Sequence, residues 1–130
     1  MAIIYIIDSY AWAKYFTGSK KGEKLKNLFS DENNKFLTIE CCLAEINGWS
    51  IKNNIDFNFI IRIIRANSEI VKLKEEDWIK AGEEKSKQRR AQKDFGLIDA
   101  LILTKQIEIN CKLISGDKHF KNMRNIIFLE

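Results

Sequence analysis

Ile3-Ile4-Tyr5-Ile6-Ile7-Asp8-Ser9 decides the fold class. Its five apolar residues form an unbroken, isoleucine-rich run, the pattern of a strand covered on both faces within a parallel sheet, and Asp8 closes it. Ser9 is placed to cap a short helix through Trp12 and Phe16. Gly18-Ser19 then breaks the chain before a lysine-rich helix that turns Leu25, Leu28 and Phe29 inward. Further out, Phe36, Leu37 and Ile39 give a second strand after Asn33-Asn34. Ile39, Cys42, Leu43, Ile46 and Trp49 recur at helical spacing with Glu45 at the edge of the stripe. Phe57, Ile60, Ile61 and Ile64 mark another amphipathic helix, and Ile70, Val71 and Leu73 a third strand. A long polar helix runs from near Glu75 through Arg90, followed by a helix over Leu97 to Ile107, a strand over Lys112 to Ser115 and an edge strand over Ile126 to Leu129. Strands alternating with helices predict an α/β fold with a parallel sheet and helices on both faces.

The chain has 130 residues, 45% of them hydrophobic, which suits one domain spanning residues 1–130 with an ordinary core. Three cysteines, two of them adjacent at Cys41 and Cys42, suggest no disulfide framework and read as reduced core fillers. The apolar run at residues 3–7 is far shorter than a membrane span and no cleavage-site pattern surrounds it, so the expectation is a soluble, cytoplasmic protein without a membrane partner. A net charge of +4 and a pI near 8.9 favour a polyanionic partner without the charge density of a nucleic-acid-coating protein.

Four acids stand out. Asp99 is enclosed by Leu97, Ile98, Ala100, Leu101, Ile102 and Leu103, and on the helix wheel it falls between Ile102 and Leu103, with no broad polar face to solvate it. A carboxylate there needs a cation, a donor or a water-filled cleft; it also fits a first-turn aspartate favoured by the helix dipole. Asp8 reads either as a helix N-cap or as a catalytic acid at a strand end, Asp117 as a turn residue of Ser115-Gly116-Asp117 or a second strand-end acid, and Glu45 as a helix boundary residue or a ligand. Open parallel sheets bind ligands at the carboxyl ends of their strands, where strand order reverses, so acids delivered there are expected to form a site. Oxygen ligands of this kind suit Mg²⁺ or Mn²⁺, whereas zinc calls for clustered His and Cys, and only one histidine is present. Carboxylates around one or two such ions acidify water and offset charge on a phosphate, which is the chemistry of phosphodiester hydrolysis. His119 reads as a surface or packing residue, with a substrate contact left open by its nearness to Asp117.

Ile-Asp-Ser-Tyr-Ala-Trp at residues 7–12, Ala44-Glu45-Ile46, Leu-Ile-Asp-Ala-Leu-Ile at 97–102 and Ile-Ser-Gly-Asp-Lys-His-Phe at 114–120 stand in an order that resembles the PIN domain family, particularly VapC-type toxins. The resemblance covers nearly the whole chain. It implies a three-layer α/β/α sandwich with a central, mainly parallel sheet, and Asp8, Glu45, Asp99 and Asp117 as the catalytic acids that hold metal, with Mg²⁺ or Mn²⁺ as cofactor. Ser9 and Ser115 match small hydroxyl residues that support the acids by orienting carboxylates and water. The family further implies endoribonuclease activity, homodimerisation and, for the toxin branch, a small antitoxin protein as partner. Asp94-Phe95-Gly96 departs from the pattern: an acid sometimes found just upstream of Asp99 is displaced, leaving Asp94 as a peripheral ligand or an N-cap.

Lys85, Lys87, Arg89, Arg90 and Lys93 form a basic segment before the Asp99 helix; Lys85, Arg89, Arg90 and Lys93 are the candidates for RNA contact through phosphates, against the plain alternative of a solvated helix face. Tyr10, Trp12 and Trp49 either stack on bases or belong to the core. The competing functions are a PIN-like RNA-processing nuclease and a non-catalytic RNA- or protein-binding module. A phosphotransferase of the haloacid dehalogenase type is disfavoured, because its second aspartate, two positions after the first, is Tyr10 here.

Overall fold

A computed structural model describes residues 2–130. Strand β1 (Ile3–Ile7) is the centre of a five-stranded sheet in the order β3-β2-β1-β4-β5, with β2 at Asn34–Ile39, β3 at Glu69–Val71, β4 at Lys112–Ser115 and β5 at Ile126–Phe128. Every pairing is parallel. β1 pairs with β2 on one side, Tyr5 opposite Phe36, and with β4 on the other, Ile7 opposite Ile114. Its inner residues Ile6 and Ile7 are wholly buried, which is why the strand reads as a continuous apolar run and not as an alternation.

The chain winds outward from β1 through helices α1 (Ser9–Phe16) and α2 (Lys20–Phe29) to β2, then through α3 (Cys42–Lys52) and α4 (Phe57–Asn67) to β3. It then returns through α5 (Glu75–Gln88) and α6 (Leu97–Ile109) to β4 on the far side of β1. Right-handed crossovers in opposite directions put the two sets of helices on opposite faces, giving three layers. α1 packs on α2 and α3, and α5 on α6. The α1–α2 contact is close enough that a methyl group on Gly22 would strike the backbone of Lys14 and Tyr15.

The core on the first face is aromatic. Trp12 is fully buried among Tyr15, Phe16 and Phe29, and its indole N–H donates to Thr38 Oγ1 at 3.0 Å, so its one polar atom is satisfied. Stacking of Trp12 on a base is thereby ruled out. Three further expectations are adjusted. Asp8, and not Ser9, is the N-cap of α1, because its Oδ1 accepts from the Ala11 amide at 2.9 Å while Ser9 is already the first helical residue. The N-cap of α6 is Gly96 and not Asp94. Ile39 closes β2 and α3 starts only at Cys42. Cys41, Cys42 and Cys111 are free and buried, and among the described residues no helix is long and apolar enough to cross a membrane.

α6 is apolar around nearly its whole girth because it lies between the sheet and α5, with residues Ala100 to Gln106 all buried. Three of those are polar and all are partnered. Thr104 Oγ1 donates to the Ala100 carbonyl at 2.7 Å. Gln106 Nε2 donates to the carbonyls of Arg124 and Asn125, each at 3.1 Å. Lys105 Nζ lies 3.3 Å from the buried Asp77 of α5 and also meets Glu108. Removing one member of a buried pair strands the other charge. Lys105→Met should therefore lower the free energy of urea unfolding by about 3–5 kcal/mol, whereas Glu108→Gln, on the half-exposed side of the same triad, should cost under about 1 kcal/mol.

Candidate metal-binding active site

Strand order reverses between β1 and β4, and both strands deliver an acid at their carboxyl ends. Asp8 follows Ile7 directly and its amide donates to the Ile114 carbonyl at 3.3 Å, which ties the end of β1 to that of β4. Asp117 follows Ser115 by two residues. Gly116 between them is crowded: a side chain there would enter the ring of Tyr10 and the Leu129 carbonyl, so only glycine lets the loop close over the sheet at this height. Ser115 is fully buried and links the two acids. Its hydroxyl accepts from the Asp117 amide at 3.0 Å and its hydroxyl hydrogen bonds to Asp8.

Asp99 enters from the first turn of α6, where its Oδ2 accepts from the Gly96 amide at 3.2 Å. This bond fixes both the start of the helix and the direction of the carboxylate, so Asp99 is a first-turn aspartate whose side chain also reaches His119. Glu45 projects from α3, exposed, and its Oε1 accepts from Ser9 Oγ at 2.7 Å. With Asp117 it lines a cleft of about 360 Å³ whose other walls include Ser9, Tyr10, Lys14 and Trp49. A larger hollow of about 470 Å³, lined in part by Leu103, Ile107, Met123 and Arg124, contains none of the four acids.

Burial and crowding set the electrostatics. Asp8 is pushed up from its ordinary 3.8 to about 7, first by burial and further by the charges of Asp117 and Asp99, against the opposing hydrogen bonds from Ser115 and Ala11. Asp99 is also raised, by burial above all and by Asp117, with the Gly96 amide and His119 acting against this. The Cys42 thiol, within reach of the charges of Asp8 and Glu45, is pushed well up by its hydrogen bond to Cys41 and by burial, which removes it as a nucleophile.

Two residues that sequence reasoning set aside or left open belong to this cluster. His119 lies with Nδ1 2.9 Å from Asp99 Oδ2 and 3.1 Å from Asp117 Oδ1, and with Nε2 3.1 Å from Asp94 Oδ1. Asp94 sits on the outer side of that ring and is held below the usual carboxylate range chiefly by it. The only signal in the sequence was the single histidine two positions after Asp117. On the cleft side Lys14 and Lys21 flank the ring of Tyr10, and Lys21 Nζ donates to its hydroxyl at 3.1 Å. They were hidden among ordinary helical lysines. The basic segment lies at the end of α5 and in the turn leading to α6, where Arg89 Nε donates to the Phe95 carbonyl at 2.8 Å and Gln92 to that of His119, also at 2.8 Å. Lys85 is half-buried, and Arg89, Arg90 and Lys93 are exposed.

The sequence profile of the PIN domain matches residues 5–126. The chain belongs to the PIN domain family. Among solved structures, this PIN domain is similar to Mycobacterium tuberculosis VapC20, a sarcin-ricin loop cleaving toxin (TM-score 0.76, 12% identity, 97% of this chain and 99% of that one covered). It is similar also to VapBC2 of Rickettsia felis, solved with a DNA fragment from their promoter (TM-score 0.71, 20% identity, 97% of both chains), and to a toxin-antitoxin complex from Klebsiella pneumoniae (TM-score 0.70, 16% identity, 97% and 98%). At these identities the likeness is one of fold. No curated protein sequence matches the chain.

The elevated Asp8 has a measurable consequence. A folded-state value above the unfolded one means that the folded chain holds a proton that the unfolded chain releases, so stability falls as pH rises between about 4 and about 7. Asp99 works in the same direction. The metal-free protein should therefore show a falling Tm across that window. Asp8→Asn, whose amide oxygen can still cap α1, should flatten the slope and raise Tm at neutral pH, as read by differential scanning calorimetry.

Proposed function

We propose that this PIN domain is a metal-dependent endoribonuclease and the toxin of a toxin-antitoxin pair. The observation that carries the reading is the crowding of Asp8, Asp99 and Asp117 at the carboxyl ends of β1 and β4, with two of the three raised by burial and by one another. Such a group is unfavourable without a compensating positive charge, and the donors are oxygens with one imidazole, so the site fits a hard divalent ion such as Mg²⁺ or Mn²⁺. Asp8, Asp99 and Asp117 would hold it, with Glu45 completing the set from the cleft side.

When bound, the ion supplies Lewis acidity, which acidifies water and offsets charge on a phosphodiester. The remaining work falls to the chain. Ser115 and the Ala11 amide orient Asp8, Ser9 orients Glu45, and the Gly96 amide orients Asp99. Glu45, exposed and beside the cleft, is placed to accept a proton from water. Lys14, together with Lys85, Arg89, Arg90 and Lys93, offers cations for the phosphates on either side of the scissile bond, holding RNA in register without reading its sequence. Tyr10 and Trp49 on the cleft wall are the aromatic surfaces available to a base.

The toxin assignment draws on structures of the same fold: one is a sarcin-ricin loop cleaving toxin and another a toxin-antitoxin complex. A small antitoxin protein and a second copy of the chain are accordingly the proposed protein partners, and the cytoplasm the proposed location. Purified protein with Mg²⁺ or Mn²⁺ should cut structured RNA, lose activity on chelation, and lose about 100-fold or more on Asp8→Asn or Asp99→Asn with the fold retained. Cutting that survives both substitutions overturns the nuclease site. Growth arrest on expression, relieved by a cognate small DNA-binding protein, is expected of the toxin; cutting without arrest would point to an RNA-processing nuclease.

A further inference from the structure

His119 occupies a place that neither a surface nor a packing residue needs. It stands in the short 3₁₀ turn Lys118–Phe120 that follows Asp117, and the ring is held from several sides. Phe95 packs against it edge-on at 5.6 Å, its backbone amide donates to Asp117 Oδ1 at 2.9 Å, and its carbonyl accepts from Gln92. Both ring nitrogens are sealed from solvent, and neither meets a partner at a hydrogen-bonding angle although three carboxylate oxygens lie within 3.1 Å. The oxygens flank the nitrogens without lying on their axes.

The two sides of the ring differ. Nε2 faces only Asp94, a peripheral carboxylate that is mostly exposed. Nδ1 faces Asp99 and Asp117, and three donor atoms this close repel unless a cation, a metal ion or a proton, lies among them. Two ligands in neighbouring positions of an octahedron with bonds near 2.1 Å are separated by roughly 3 Å, and the Nδ1 distances to the two carboxylates are 2.9 and 3.1 Å. Asp99, Asp117 and His119 offer ligand atoms that all lie within 4.8 Å of one another. A carboxylate behind a histidine is also the usual support of a metal-bound imidazole, since it fixes the tautomer and raises the basicity of the ligating nitrogen.

We propose that His119 is a nitrogen ligand of the divalent ion, through Nδ1 and alongside Asp99 and Asp117, with Asp94 as the positioning carboxylate behind it. This rests on the metal-site reading above and adds to it a preference. Mg²⁺ accepts oxygen donors and disfavours imidazole, so a site with one nitrogen shifts toward transition ions. The site then selects Mn²⁺ over Mg²⁺, and Asp94, displaced from the family pattern, acts through His119.

The test is spectroscopic and does not depend on activity. The full chain, stripped with chelator and loaded with Mn²⁺, is examined by electron spin echo envelope modulation, in which a ligating imidazole gives ¹⁴N modulation. The wild type should show it and His119→Gln should lose it. By calorimetry, His119→Gln should weaken Mn²⁺ binding about 10-fold or more and Mg²⁺ binding less, and Asp94→Asn should weaken Mn²⁺ binding in the same sense. Mn²⁺ binding that Asp99→Asn abolishes but that shows no nitrogen modulation in the wild type would overturn this proposal alone, making the ring a counter-cation to the carboxylates. Absence of any acid-dependent Mn²⁺ binding overturns both this and the metal-site reading.

Discussion

Mutual repulsion among Asp8, Asp99 and Asp117 is the constraint around which this molecule is built. At short range and away from bulk water, like charges interact several times more strongly than they do in solvent. The fold nonetheless brings the three together, and burial raises Asp8 to about 7. The sheet makes this unavoidable. With β1 central and β4 its neighbour across the reversal in strand order, the residues leaving the two strands emerge side by side.

What keeps the arrangement in place is a set of short polar links, most of them formed with backbone. The Ala11 amide holds Asp8, the Gly96 amide holds Asp99, the His119 amide holds Asp117, and Ser115 stands between two of the acids. Each carboxylate therefore does two jobs: it starts or caps a helix, and it stands within charge range of another acid. Capping and site formation are usually set against each other as explanations for an aspartate. Here the backbone donors are the means by which the carboxylates are aimed.

That dual role explains what was legible in the sequence. The central strand, the parallel alternation and the strand-end acids follow from local pattern, because a strand buried on both faces has to be continuously apolar and its termini have to carry the polar turn. Asp99 was visible through its apolar neighbours. His119 was not, since a histidine next to an aspartate in a turn is unremarkable until the turn is laid against α6, a contact between residues 99 and 119 that no local window contains. Asp94 admits two local readings, cap or peripheral ligand: three residues before the α6 start it resembles a cap, but Gly96 occupies that position and leaves Asp94 against the imidazole. The cleft lysines Lys14 and Lys21 were lost among many surface lysines.

The sheet ends on both sides in strands of three residues, β3 and β5. An incoming strand would find only a few backbone donors and acceptors there, too short a ladder to template extension of the sheet into a second molecule. Association between copies by edge pairing is thus suppressed by geometry. Of the larger apolar side chains left in solvent, Ile51, Phe59, Trp78, Ile79, Leu97 and Ile107 stand on helices, and Ile3 at the start of β1 is the exception among the described residues. The apolar surface available for contact with another molecule therefore lies mainly on helices, away from the short edge strands.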